Sequence, residues 1–270
     1  MIYPGGKNGA GVYQQIINQI PPHDVYIEAF LGSGAILRNK LPARSSIGID
    51  ADDDVIKKWM ATIDTLQDSA IKINNDGAGA LDTSADICAG AIFIHTDAIS
   101  YLENHRWAPN TFVYCDPPYL METRSGKDPI YTHEFHTHSQ HQQLLRVLIN
   151  SPAAIAISGY PSSLYEQMLA NWRSIHYTIV TRGGHTRQEY LWMNYPTPTA
   201  LHDYRYLGNN FRQRERLKRI RQRWIRRLLR MDQLERLMLT SAIAETAAPA
   251  VPTKTATPAI VTRDTGTHET

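Results

Sequence analysis

Along this chain the hydrophobic residues gather in short runs, and most of the runs close on a carboxylate or a glycine turn. Residues 24–30 read Asp-Val-Tyr-Ile-Glu-Ala-Phe, a strand pattern. Leu31-Gly32-Ser33-Gly34 then turns the chain, and the apolar pair Ile36 and Leu37 opens a helix. A second run, 46–50, ends at Asp50, and a third, 90–95, is followed by Thr96-Asp97. A fourth, 112–115, runs into Asp116-Pro117-Pro118-Tyr119. Short apolar runs bounded by turn residues predict strands. A strand, a tight glycine turn and a helix in that order form the first unit of a nucleotide-binding fold. The pattern therefore predicts an α/β, Rossmann-like domain with a mostly parallel sheet. Residues 140–149 predict a helix. Near the C-terminus Leu217, Ile220, Trp224, Leu228, Met231, Leu234 and Met238 recur at steps of three and four. That spacing predicts a long amphipathic helix.

The fourth run carries the most chemistry. Tyr114 and Asp116 fall on one face of it, Val113 and Cys115 on the other. Pro117 and Pro118 fix φ and remove two backbone donors. They deliver a carboxylate, a carbonyl and the Tyr119 ring to one point, which suits the binding of a planar aromatic amine. Glu28, Asp50 and Asp97 each lie at or just past the end of a strand, as Asp116 does. An acid ending the second strand is placed to accept from ribose hydroxyls, and Asp97 to meet an adenine amino group. Each alone also suits a helix N-cap. Together they favour one ligand crevice along the carboxyl edge of the sheet. In Tyr3-Pro4-Gly5-Gly6-Lys7, Lys7 sits in a glycine turn, suited to facing a carboxylate, and Tyr3 can pack on an apolar chain or ring; a frayed terminus is the plainer reading.

In order, Pro-Gly-Gly-Lys (4–7), Glu-Ala-Phe-Leu-Gly-Ser-Gly (28–34), Gly-Ile-Asp (48–50), Thr-Asp (96–97) and Asp-Pro-Pro-Tyr (116–119) resemble the Dam-type, alpha-group family of DNA adenine-N6 methyltransferases. The stretches 131–145, 157–160 and 189–195 are similar to it as well, so the resemblance spans roughly residues 1–200. It implies an S-adenosylmethionine-dependent methyltransferase fold and site-specific transfer of methyl to adenine N6 in DNA, without a metal. By position Tyr3 and Lys7 would flank the methionine part of the donor. Glu28, Phe30, Gly32, Ser33 and Gly34 would line its pocket. Asp50 would hold the ribose and Asp97 the adenine. Asp116, with Pro117 and Pro118, would bridge donor and target, and Tyr119 would stack on the flipped base. One departure stands out. Larger members carry a helical recognition domain between the second-strand acid and Asp-Pro-Pro-Tyr, whereas here residues 51–115 must also supply a helix, a strand and the Thr96-Asp97 turn.

The chain has 270 residues, 28 basic against 26 acidic, so charge distribution says more than net charge. Cys88 and Cys115 are too few for a disulfide framework, which makes cytoplasmic the expected location. No signal peptide is evident, and no apolar run approaches the roughly 20 residues of a membrane span. His133, His136, His138 and His141 have metal-like spacing but no cysteine partner, so no metal is expected and the histidines read as phosphate contacts or solvated groups. Between Arg205 and Arg236 basic residues far outnumber Glu215, Asp232 and Glu235. Arginine-rich helices meet phosphate backbones, so DNA is the expected partner; packing of a second copy through the apolar stripe is the alternative. The expected organisation is a catalytic domain at 1–204 with a reduced recognition insert, a basic amphipathic helix at 205–245 and a disordered tail at 246–270. Rival readings keep the fold with cytosine N4, an RNA base or a glutamine amide as acceptor, or keep only nucleic-acid binding. An Asp leading the Pro-Pro-Tyr motif speaks for adenine.

Overall fold

The computed structural model describes residues 7–9, 11–76, 90–123, 135–180, 184 and 186–247, without the side chains of 66–76, 180 and 247. Tyr3, Cys88, His133 and the expected tail from 248 onward lie outside the described residues. The chain divides after Lys218 into two compact units.

In the first unit strands and helices alternate. They are α1 (Val12–Ile17), β1 (Val25–Ala29), α2 (Ala35–Asn39), β2 (Ser45–Asp50), α3 (Asp53–Asp76), β3 (Ala91–His95), α4 (Ala98–Asn104) and β4 (Thr111–Cys115). Then come α5 (His138–Asn150), β5 (Ala154–Gly159), α6 (Ser163–Met168), β6 (Arg173–Val180) and β7 (Thr186–Met193). One seven-stranded sheet has the order β3-β2-β1-β4-β5-β7-β6. Pairs among β1 to β5 are parallel, whereas β7 runs antiparallel between β5 and β6. This is the mostly parallel, Rossmann-like sheet that the apolar runs predict. Neither β6 nor the inserted position of β7 is among those predictions.

The sheet is covered on both faces. Tyr26, Phe112, Tyr114 and Leu191 pack with Ile16, Ile36, Val55 and Trp59 on one side. Ile27, Val113, Cys115 and Ile157 pack with Leu102, Leu144, Leu148 and Tyr165 on the other. Burial on both faces is why β1, β4 and β5 read as continuous apolar runs rather than alternating ones. Register then aligns the strand ends: Ala29 lies opposite both Ile49 and Cys115, and Asp50 opposite His95. Phe30, Asp50 and Asp116 therefore leave the sheet at one edge. Helix α5 starts at His138, two residues before the spacing suggests. Thr137 caps it, with a reciprocal bond from Gln140, which satisfies donors that the helix itself cannot.

The C-terminal stretch differs from its expected form. Arg205 is not helical; its guanidinium pairs with Asp203 at 2.7 Å and donates to the Asn39 carbonyl at 2.7 Å. Helix α7 (Phe211–Leu229) begins after it and crosses the boundary between the units, and α8 (Gln233–Ala247) is separate. Asp232 makes the break. Its carboxylate accepts from the N–H groups of Leu234 and Glu235 at 2.8 and 2.9 Å, so it opens a new helix rather than continuing the old one. No residue of α7 is buried.

Candidate active site

At the carboxyl edge of β4 a lysine and two acids meet. Lys7 Nζ lies 2.6 Å from Asp116 Oδ1, 3.0 Å from Glu189 Oε1 on β7, and 2.7 Å from the Tyr119 hydroxyl. Tyr119 in turn donates to Asp116 Oδ1 at 3.3 Å. Behind Glu189 the bonds continue inward. Tyr177 of β6 donates to Glu189 at 2.8 Å, and Ser158 of β5 links the hydroxyls of Tyr177 and Tyr114 at 3.2 and 2.8 Å. Lys7 and Glu189 are 3% and 1% exposed. Charges so far from water persist only when paired and hydrogen-bonded, and here both are. Strands β4, β5, β6 and β7 each contribute a side chain to this network. Lys7, Asp116 and Tyr119 are legible in the sequence as site residues; Glu189, Tyr177 and Ser158 are not. Ser158 and Glu189 do fall inside the family-like stretches 157–160 and 189–195, and Ser158 is a polar residue in the otherwise apolar β5; Tyr177 carries no such signal.

Burial sets the protonation states, and the neighbours correct them. Burial alone would lower the Lys7 pKa, but the Asp116 and Glu189 carboxylates outweigh it and hold the ammonium above its ordinary value. Asp116 is pushed up to about 6, first by burial; Lys7 pulls it back down and Glu189 pushes it further up. Burial keeps Tyr119 a neutral phenol. The Lys7 ammonium is thus held by the Asp116 carboxylate, with an aromatic ring beside it. The ammonium lies 5.2 Å from the Tyr119 ring centre. The Tyr119 ring also leans on Tyr160, centroids 4.5 Å apart, and Arg187 covers the Tyr160 ring at 4.6 Å.

The glycine turn is next to this cluster in the sheet. Phe30, Gly32 and Gly34 all have positive φ, at 62°, 46° and 56°, the last two in a region that glycine enters without strain. Gly34 has a second requirement. A Cβ there would lie 2.3 Å from the Trp59 ring, and Trp59 donates its indole N–H to the Gly32 carbonyl at 3.0 Å. The close approach that this glycine permits is made by a tryptophan of α3. Phe30 packs edge-on to Phe135. Ser33 is buried and accepts from the Asn8 amide at 3.4 Å, so the segment carrying Lys7 touches the turn.

The other acids have local partners. Glu28 is buried and accepts from the Tyr26 hydroxyl and the Leu37 N–H, both at 2.7 Å, which ties α2 to β1. Burial raises its pKa to about 7. Asp50 accepts from the N–H groups of Gly32 and Asp52 at 2.8 and 2.9 Å, so it braces the glycine turn from the neighbouring strand. Asp97 caps α4 through the Ser100 N–H at 2.8 Å. Asp50, Asp116 and the turn share one edge, and Asp97 follows β3 at that edge. Pro117 is buried and Pro118 half-buried.

Two of the histidines at 133–141 have partners within the protein. His141 is buried between the Tyr165 hydroxyl at 2.8 Å and the Phe135 carbonyl at 3.0 Å, holding α5 to its surroundings. His138 is exposed and pairs with Glu122 at 3.0 Å. Among the described residues no group of histidines, cysteines and acids has the geometry of a metal site, and no helix is long and apolar enough to cross a membrane.

No protein-family model and no curated sequence matches the chain. Among solved structures, a putative methyltransferase from Escherichia coli is 18% identical with a TM-score of 0.38, covering 71% of this chain and 90% of its own. An rRNA methylase from Streptococcus thermophilus is 11% identical, TM-score 0.38, over 72% and 97%. A putative methyltransferase from Streptococcus mutans, in complex with SAH, is 11% identical, TM-score 0.37, over 72% and 99%. Similarities this low decide nothing about chemistry, and the fold rests on the strand order itself.

Proposed function

We propose that the chain is an S-adenosylmethionine-dependent methyltransferase that methylates adenine N6 in DNA. One observation carries the reading: the Asp116 carboxylate, at the end of β4, accepts a nitrogen donor, the Lys7 ammonium, at 2.6 Å beside the Tyr119 ring. The donor supplies a sulfonium methyl group when bound. The crevice has groups that suit it: Asp50 for its ribose and Asp97 for its adenine, whereas the Lys7 ammonium and the N–H groups of Leu31, Gly32 and Gly34 already have partners within the protein and would have to exchange them. Asp50 and Asp97 already accept backbone bonds, but a carboxylate has about four acceptor positions, so each retains capacity for a ligand.

The chemistry follows from Asp116. An exocyclic amine is a poor nucleophile because its lone pair is shared with the ring. Accepting the N6 hydrogens at Asp116 and at the Pro117 carbonyl would draw that nitrogen towards tetrahedral and free the lone pair. A fixed carboxylate also stabilises the positive charge that grows on N6. The target atom is out of reach inside a duplex, so the base must be flipped out, and the Tyr119 ring offers it a stacking face.

The test is labelled methyl transfer from S-adenosylmethionine to DNA, with RNA and free adenosine in parallel, followed by modified-base analysis. N6-methyladenine in DNA is expected, and Asp116→Asn should lower the rate at least about 100-fold, the usual loss on removing one electrostatic contact. Label on RNA alone, or a near-normal Asp116→Asn rate, overturns the reading.

A further inference from the structure

We propose that one face of α7 is a docking surface for the phosphate backbone of duplex DNA. At about 100° per residue, Arg212, Arg216, Arg219, Arg223, Arg226 and Arg227 fall within one arc of about 100°. From 212 to 229 no other residue falls in that arc. All six are exposed, and none forms an ion pair with a described carboxylate. Residues three and four apart are neighbours on a helix, where like charges repel. The helix therefore holds a row of repelling cations, flanked by the single acid Glu215, which forms no ion pair with them, and a polyanion would relieve it. At 1.5 Å per residue the row is about 22 Å long, enough to follow several phosphates. Arginine rather than lysine fills every position, and its planar fork donates two parallel bonds to a phosphate.

The apolar residues of α7 are arranged differently, and this decides between partners. Leu217, Ile220, Trp224 and Leu228 lie on one arc, and Phe211, Ile225 and Leu229 on another. Arg214 and Arg221 lie between the two arcs, and Lys218 interrupts the second. A helix lying in a membrane surface needs one continuous apolar face, and so does a helix paired with its own copy. Here the apolar residues are divided by cations, whereas the arginine face is unbroken. Only the choice of DNA over RNA rests on the proposed function; the surface itself is independent of the catalytic site.

The experiment measures affinity of the full-length protein for random-sequence duplex DNA between about 50 and 300 mM salt, with no methyl donor present. Each neutralised phosphate contributes about −0.9 to the slope of log affinity against log salt. Replacing the six arginines with glutamine should therefore make the slope shallower by about 5, and replacing them with lysine should largely restore it. Lys218→Gln with Arg221→Gln, on another face, should change it by no more than about 2. Circular dichroism of each variant checks that the helix remains. An unchanged slope in a helical six-glutamine variant overturns the proposal. So does an equal loss in the Lys218/Arg221 control, steeper binding to RNA duplex than to DNA, or a six-glutamine effect confined to anionic vesicles or sedimentation mass. Because the slope is measured without turnover, a native protein that transfers no methyl group but whose salt slope depends on the six arginines faults the catalytic reading and leaves this surface standing.

Discussion

Two clusters of charge in this protein obey opposite rules. At the end of β4, Asp116 and Glu189 each lie within 3.0 Å of the Lys7 nitrogen, with Lys7 and Glu189 buried and Asp116 partly so. On α7, six arginines line one face in solvent with no carboxylate partner among the described residues. The difference is dielectric. In the interior an uncompensated charge costs several kcal/mol, so the buried Lys7 ammonium is met by two carboxylates. At the surface water and salt screen repulsion, so a row of like charges can persist until a polyanion meets it. Pairing in the interior makes that cluster adjustable, because Lys7 and Glu189 pull the Asp116 carboxyl in opposite directions. Lack of pairing at the surface leaves the second cluster ready for an external partner.

The most damaging way to break the contrast is to unpair the interior. Glu189→Leu would leave Lys7 with one carboxylate and Tyr177 without its acceptor. Losing one partner of a buried pair costs about 3–5 kcal/mol, and Asp116 should soften that towards the lower end. Urea unfolding at neutral pH measures it, and an unaltered midpoint would show that Glu189 is not part of what holds Lys7. The Tyr119 variants separate ring from hydroxyl. Tyr119→Ala should lower kcat/KM by about 1–3 kcal/mol, the worth of a base–aromatic stack. Tyr119→Phe should lower it by about 1 kcal/mol, because the hydroxyl is bonded to both Lys7 and Asp116. Equal losses in the two variants would mean that the hydroxyl, not the ring, is what the reaction uses.

A pH profile sharpens the comparison further. Asp116 is raised to about 6, so the ionised form that accepts the amine hydrogens is gained as pH rises through about 6. Methyl transfer should follow with a rising limb there. Glu189 is one of the groups pushing Asp116 up, so Glu189→Gln should move the limb to lower pH. Lys7 pulls Asp116 down, so Lys7→Met should move it to higher pH. Shifts in the reverse sense would show that Asp116 is not the titrating group. The smallest effect belongs to the exposed side. Leu229 is 69% exposed, so Leu229→Gln should change stability by no more than about 0.5 kcal/mol; a larger loss in thermal unfolding would reveal a contact that the surface does not show.

The amino-acid sequence by itself determined the parts of this protein that depend on local order. Apolar runs with a turn or an acid at the end are strands wherever they occur, so β1 to β4 and their terminal groups Asp50, Asp97 and Asp116 are legible without coordinates. The prolines after Asp116 announce that the strand stops and that Tyr119 can turn back. The arginine row on α7 is legible too, because a helix turns spacing directly into a face, although the single long helix expected there is divided by the cap at Asp232. What only the tertiary structure decided depends on pairs distant along the chain. Lys7 and Asp116 are separated by 109 positions. Glu189 reaches Lys7 because β7 runs antiparallel between β5 and β6, and nothing within β7 specifies that insertion. Glycine offers space without saying what fills it: at Gly34 the indole of Trp59 takes the room that local pattern assigns to a ligand. The acids likewise offer acceptors without naming the donor, and Asp50, Asp97 and Glu28 find theirs in nearby backbone N–H groups. Local pattern reports what a residue can do; packing decides what it touches, because contact free energy depends on distances that sequence separation does not set.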